Sequence, residues 1–188
     1  MKTAKSVGHW SVLFVLGASC LLSAQEKKSE PQDAQKSCRV FVQQFYDWYV
    51  SETHKENAMH SWDLALKQKG YAFSPELRRE LTEDSDAQAK AGGEIVGLDF
   101  DPFLNSQDPD ERYVVGAITF KGTSFWVEVH SIQSGTKSKK PVVVPELVSK
   151  GGRWLFVNFH YGRTNRPEHE NLLSILKSLK ERRQNAPK

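Results

Sequence analysis

Residues 97–111, GLDFDPFLNSQDPDE, crowd Asp99, Asp101, Asp108 and Asp110 around two prolines and the apolar Phe100, Phe103 and Leu104. A calcium loop of the EF-hand kind alternates carboxylates around a central glycine and ends on a bidentate glutamate. This stretch has no glycine inside the acidic run and puts Pro-Phe-Leu where ligands belong. An irregular calcium site would have to use Asp99, Asp101, Asn105 and Asp108. Zinc would need His or Cys ligands at characteristic spacing, and neither is present, so no metal and no cofactor is expected. If the segment is extended, Asp99 and Asp101 share a side about 7 Å apart. That spacing can raise one carboxyl pKa and make a general base. A simpler reading anchors Phe100, Phe103 and Leu104 in the core while Asp99, Asn105 and Asp108 bond backbone amides and fix the turn.

His130 and His160 are the other chemical candidates, and either could pair with an aspartate. A hydrogen-bonded structural histidine is the alternative for both. Cys38 is followed at helical spacing by Phe41, Val42 and Phe45, which reads as a buried, inert thiol rather than a nucleophile. No Ser–His–Asp spacing, phosphate-cradling glycine loop or dinucleotide fingerprint occurs.

These residues must be held by a small set of elements. In SCRVFVQQFYDWYVSE, Cys38, Phe41, Val42, Phe45, Trp48 and Tyr49 fall on one helical face, while Arg39, Gln43 and Asp47 fall off it. That aromatic stripe predicts core, with irregular gaps that could form a pocket. Met59, Trp62 and Leu66 give a weaker helical pattern. SPELRREL carries a start signal, with Ser74 as cap, Pro75 at the first helical position and Glu76 in the first turn. After Gly92-Gly93 the period changes. RYVVGAITF, SFWVEVH, PVVVPELV and RWLFVNFHY predict four strands joined by short glycine-bearing turns into an antiparallel meander. Alternation puts Phe125, Val127 and Val129 on one face and Trp126, Glu128 and His130 on the other. In the last run it opposes Leu155, Val157 and Phe159 to Trp154, Phe156, Asn158 and His160. A closing helix is expected from Pro167, Glu168 and Glu170 through Leu172, Ile175, Leu176 and Leu179 to Lys180, Arg182 and Arg183, its charges matched to the helix dipole.

The chain has 188 residues and a formal charge of +3, enough for one domain. Residues 1–24 combine Lys2 and Lys5 with the short apolar run WSVLFVLGASCLLSA, which reads as a secretory signal cut before Gln25. The rival is a lipoprotein signal that lipidates Cys20. The run is too short for a membrane span. The expected product is periplasmic or secreted. Losing both lysines takes the charge from +3 to +1, which excludes a field that gathers nucleic acid. Residues 25–37 are polar and read as a flexible tether, 38–162 as one domain and 163–188 as a helix with a basic tail.

Helices followed by a meander describe an α+β domain whose curved sheet wraps its helices. FVQQFYDWYVS, GLDFDPFLNSQD and VVPELV…GGRWLFVNFHY, in that order, resemble a bacterial family of unknown function, domain of unknown function 3828, itself similar to the nuclear transport factor 2-like cone fold. The likeness spans roughly residues 38–162. It implies a conical cavity between sheet and helices but no settled activity, since the fold serves isomerases, dehydratases, ligand binders and assembly domains. The expected cavity is lined by Tyr46, Trp48, Tyr49, Trp126 and Trp154 with Asp108 at its rim. It would hold a small or peptide-like ligand in a non-catalytic binding domain, and a homodimer is compatible with this. One alternative is a cofactor-free acid–base enzyme with Asp99 or Asp101 as base and His130 or His160 as partner; another is a purely structural or assembly role with a filled cone.

Overall fold

The structure, a computed structural model, describes residues 31–55, 61–162 and 171–185. The expected signal sequence, Cys20, the first half of the tether, Met59 and the Pro167–Glu170 helix start lie outside the described residues.

Helix α1 runs Pro31–Thr53, α2 Ser61–Lys69 and α3 Pro75–Lys90, with a single 3-10 turn, Gly70–Ala72, between the last two. Strands β1 (Arg112–Lys121), β2 (Ser124–Gln133), β3 (Thr136–Lys137), β4 (Val144–Lys150) and β5 (Arg153–His160) follow, and α4 (Leu172–Asn185) is the last element among the described residues. The sheet is antiparallel in the order β1-β2-β4-β5, with β3 a two-residue extension of the β2 hairpin. Helices first, then an antiparallel meander, then a helix make an α+β fold whose layout fits a cone.

The tether expectation is corrected at its C-terminal half. α1 begins at Pro31, so residues 31–37 are helical. A proline is at no disadvantage in a first turn, where its missing N–H has no intrahelical partner to lose. Ser37 also bonds the Trp154 indole across 117 positions of sequence, a tertiary contact composition cannot reveal. The aromatic stripe of α1 is core as expected: Cys38, Val42, Phe45 and Tyr49 are buried, and Phe41 and Trp48 pack partly buried against them. The off-face Arg39 and Gln43 have a job too. Arg39 donates to the carbonyls of Val115 and Gly116, and Gln43 bonds both the Tyr113 carbonyl and the Val115 amide. These contacts occupy the free edge of β1, which would otherwise expose a row of unpaired backbone groups.

Two irregularities bend the sheet. β1 carries an extra residue between Val115 and Ile118, and β5 carries one opposite the Glu146–Leu147 step of β4. The second overturns the expected alternation of the last strand. Glu146 faces Asn158 and Leu147 faces Phe156, so Val157 is the bulged residue. Phe156 and Phe159 therefore both point into the core with no exposure, and Trp154 lies on their side. Pro145 adds a local gap, because it has no N–H to offer its neighbour. β4 meets β2 at Phe125–Leu147 and Trp126–Glu146, then again only through the Val129–Val143 bridge.

Ser74 caps α3 by accepting from the Leu77 amide, with Pro75 at the first position, as expected. At α4, the Asn171 side chain accepts from the Ser174 amide. Asn158 of β5 bonds both Asn171 and the Leu173 amide, tying the helix start to the strand. α4 is not held by dipole matching alone. Arg183 meets the buried Asp84 of α3 at 2.5 Å, and Lys180 meets Glu83 at 2.5 Å.

Candidate functional site

The acidic loop is organised by one aspartate. Asp101 is buried, and its carboxylate accepts from the amides of Phe103 (2.9 Å) and Leu104 (3.1 Å) and from the Tyr49 hydroxyl (2.6 Å). Its own amide and carbonyl bond Ser106 and Asn105. Tyr46 donates to the Phe103 carbonyl and Tyr161 to that of Pro102, so three tyrosine hydroxyls converge on one tight turn. Burial pushes the Tyr46 and Tyr161 hydroxyls well above their ordinary range, and the Asp101 charge adds to it. Both hydroxyls therefore stay protonated donors. Phe103 and Leu104 anchor the loop in the core, as the simplest reading required. The amide-bonding role assigned to Asp99 and Asp108 belongs instead to Asp101. Asp99 and Asp108 are exposed and contribute backbone groups, the Asp99 carbonyl to Gln107 and the Asp108 carbonyl to Ser106. Asn105 holds a positive φ of 52° and bonds the Val142 carbonyl, a use of its tolerance for that backbone region. A carboxylate already receiving three donors has little capacity left to take a substrate proton.

Neither histidine pairs with an aspartate. His130 lies buried against Gly116, where an added Cβ would come within 2.8 Å of its ring. Its Nδ1 donates to the Ser138 carbonyl at 3.0 Å, and Glu128 is 3.6 Å from its Nε2. His160 donates instead to Glu146, at 2.9 Å. Its ring stacks on Trp126 with centroids 3.9 Å apart, and the Lys121 ammonium sits 3.9 Å from the same indole. The expected Asp–His pairing is corrected to Glu–His. Glu146 and Lys121 were invisible to sequence spacing because they come from different strands and meet only through the register. Burial holds the His160 pKa below its ordinary 6.5, outweighing the Glu146 bond.

The five aromatics expected to line one cavity are divided by the sheet. Tyr46 and Tyr49 are packed among Phe45, Phe73, Phe103 and Phe156, in ring contacts of about 5–6 Å. Trp154 contacts Phe125 on that same inner side. Trp126 lies on the opposite face and does not pack against the core. Trp48 is half-buried at the margin, with Lys69 5.2 Å from its ring.

A concavity of about 740 Å³ lies beside that margin. One wall is the turn between α2 and α3 with the start of α3, carrying Gly70, Tyr71 and Arg78; the other is the β4–β5 hairpin, with Lys150, Arg153 and Leu155. The walls are joined by backbone, since the Ser74 amide donates to the Phe156 carbonyl at 2.8 Å and Phe73 bridges Phe156. Tyr71 is 62% exposed above a floor that includes the buried Phe73. Lys69 lies 6.0 Å from the Tyr71 ring and so spans from Trp48 to the cleft. Two smaller hollows, of about 250 and 380 Å³, lie against α1 and β1 and between α3 and α4. Neither His160 nor Glu146 borders any of the three. The signal missed in the sequence was GYAF before SPELRREL, an aromatic pair flanking a turn rather than lining a helix.

No family model matches this sequence, and no characterised protein or solved structure is detectably similar to it.

Proposed function

We propose that the protein is an exported, non-catalytic binding domain whose ligand enters the cleft between the Gly70–Ala72 turn and the β4–β5 hairpin. The observation that carries this is Tyr71, a large aromatic left 62% exposed over an apolar floor in a cleft of ligand size. The acid–base candidates have other employment: Asp101 fixes a turn, His130 a hairpin, and His160 a stack on Trp126. The helix-then-meander order supports the likeness to the cone fold, and with it a binding role at one end of the cone rather than within it. Export to the periplasm or medium rests on residues 1–24, and a homodimer remains compatible with this reading. The Glu146–His160 contact favours the acid–base alternative, but that pair borders none of the described concavities.

An NMR screen of aromatic fragments, read on backbone amides, tests this. Binders should shift Gly70, Tyr71, Phe73 and Leu155, and Tyr71→Ala should weaken them about tenfold, the loss of one exposed ring contact. Shifts concentrated on Trp126 and His160 would overturn the proposal.

A further inference from the structure

The cations that line the cleft outnumber the acids that line it: Arg78, Arg79, Lys150 and Arg153 against Glu83. Three cations of α4 find acids: Lys177 with Glu181, Lys180 with Glu83 and Arg183 with Asp84. Within the cleft Arg79 is likewise committed, bonding Glu80 at 2.7 Å and lying 3.9 Å from Glu83. Glu83, the acid that borders the cleft, is taken by Lys180 on the far side of α3. Arg78, Lys150 and Arg153 remain, with no ion pair and no side-chain hydrogen bond among the described residues. Lys150 and Arg153 sit directly opposite each other across the β4–β5 turn. Like charges so placed destabilise a hairpin. Arg78 approaches from the other wall, its guanidinium packed over Gly70. The three cations thus face one concavity from both sides, over Phe73 and Leu155 and beside Tyr71.

Building on the cleft as the binding site, we propose that its ligand is a small anion with an apolar, ring-sized body. The negative group is held by Arg78, Lys150 and Arg153, and the body is laid against Tyr71 and the floor. A guanidinium on each wall suits the two oxygens of a carboxylate or of a phosphate or sulfate ester. The apolar floor supplies what an inorganic ion could not use, so the body is part of the recognition. A polyanion such as nucleic acid is disfavoured, because three cations at one cleft make no continuous track for a backbone.

The test compares 2-naphthoate with its neutral isostere 2-naphthamide by titration calorimetry at about 20 mM salt, where screening is weak. The protein is the intact chain and a variant carrying Arg78→Gln, Lys150→Gln and Arg153→Gln. All three positions are exposed and two of them repel across the hairpin, so the variant should match or exceed the parent's thermal midpoint. Naphthoate should bind the parent about tenfold or more tightly than naphthamide. In the variant that advantage should disappear while naphthamide binding is retained. Equal binding of both probes by the parent overturns the anion preference and leaves the cleft standing. A naphthoate advantage that persists in the variant overturns the assignment of these three cations. Binding of neither probe overturns the cleft itself and this inference with it.

Discussion

His160 sits where the fold resists a positive charge. Burial lowers its pKa, the hydrogen bond it donates to Glu146 raises it but loses, and Lys121 adds to the lowering. The unfolded chain, with its ordinary value of 6.5, therefore takes up a proton more readily than the folded one. Stability from this site is full above about pH 6.5 and is lost as pH falls from there through the lower folded-state value. The thermal midpoint should drop between pH 7.5 and 5.5, and His160→Phe, which keeps the stack on Trp126, should flatten that dependence. A variant that retains the parent's slope would show that other groups carry it. Cys38 illustrates the opposite kind of residue, one whose fate was readable from its neighbours. It is buried and its thiol is pushed up to about 12 by burial, as the apolar residues at helical spacing around it required. Asp101 was not readable in the same way. Four aspartates in GLDFDPFLNSQDPDE look alike in one dimension, and only the three-dimensional turn selects the one that Tyr49 and two amides grip.

Among the elements, α4 depends on a clamp that composition misrepresents. Its basic end suggested solvation and dipole matching, yet Arg183 bonds both the buried Asp84 carboxylate and the Val96 carbonyl. Asp84 in turn accepts from the Leu98 amide, and Gly97 passes so close that a Cβ would come within 2.7 Å of its carboxylate. Removing the guanidinium strands an acid with only 3% side-chain exposure. Arg183→Ala should cost about 2–3 kcal/mol in urea unfolding, below the cost of breaking a fully buried pair because Arg183 is partly solvated. Adding Asp84→Asn should recover part of that loss; strict additivity would mean the two groups do not interact. The strands show the same limit from another side. Alternation located β2 correctly, because its ladder with β1 runs unbroken from Ser124 to Val127. It failed in β5, where one bulged residue at Val157 turns Phe156 inward.

At the scale of the molecule, the inside of the cone is built of rings. Phe45, Phe73, Phe103, Phe156 and Phe159 interlock at centroid distances of 4.8–5.8 Å. A hollow lined by Tyr46 and Tyr49 would have to displace these contacts, whereas the ring of Tyr71, where binding is proposed, is left exposed. Phe156→Ala should destabilise the protein by about 3–5 kcal/mol, measured by denaturant unfolding, the range for opening a cavity in a packed core. A loss below about 1 kcal/mol would mean that the interior has room to relax and is not close-packed.

The sequence by itself settled the α+β order, the aromatic face of α1, the start of α3 and the burial of Cys38. These follow from local periodicity, capping chemistry and turn residues, which act over a few positions of chain. It did not settle which aspartate is buried, which acid meets which histidine, or whether five aromatics share one space. Those depend on register, and a single bulge shifts register for every residue beyond it. The cleft belongs to the same class. Gly70, Tyr71 and Arg78 meet Lys150, Arg153 and Leu155 only because the Ser74 amide reaches the Phe156 carbonyl across the fold.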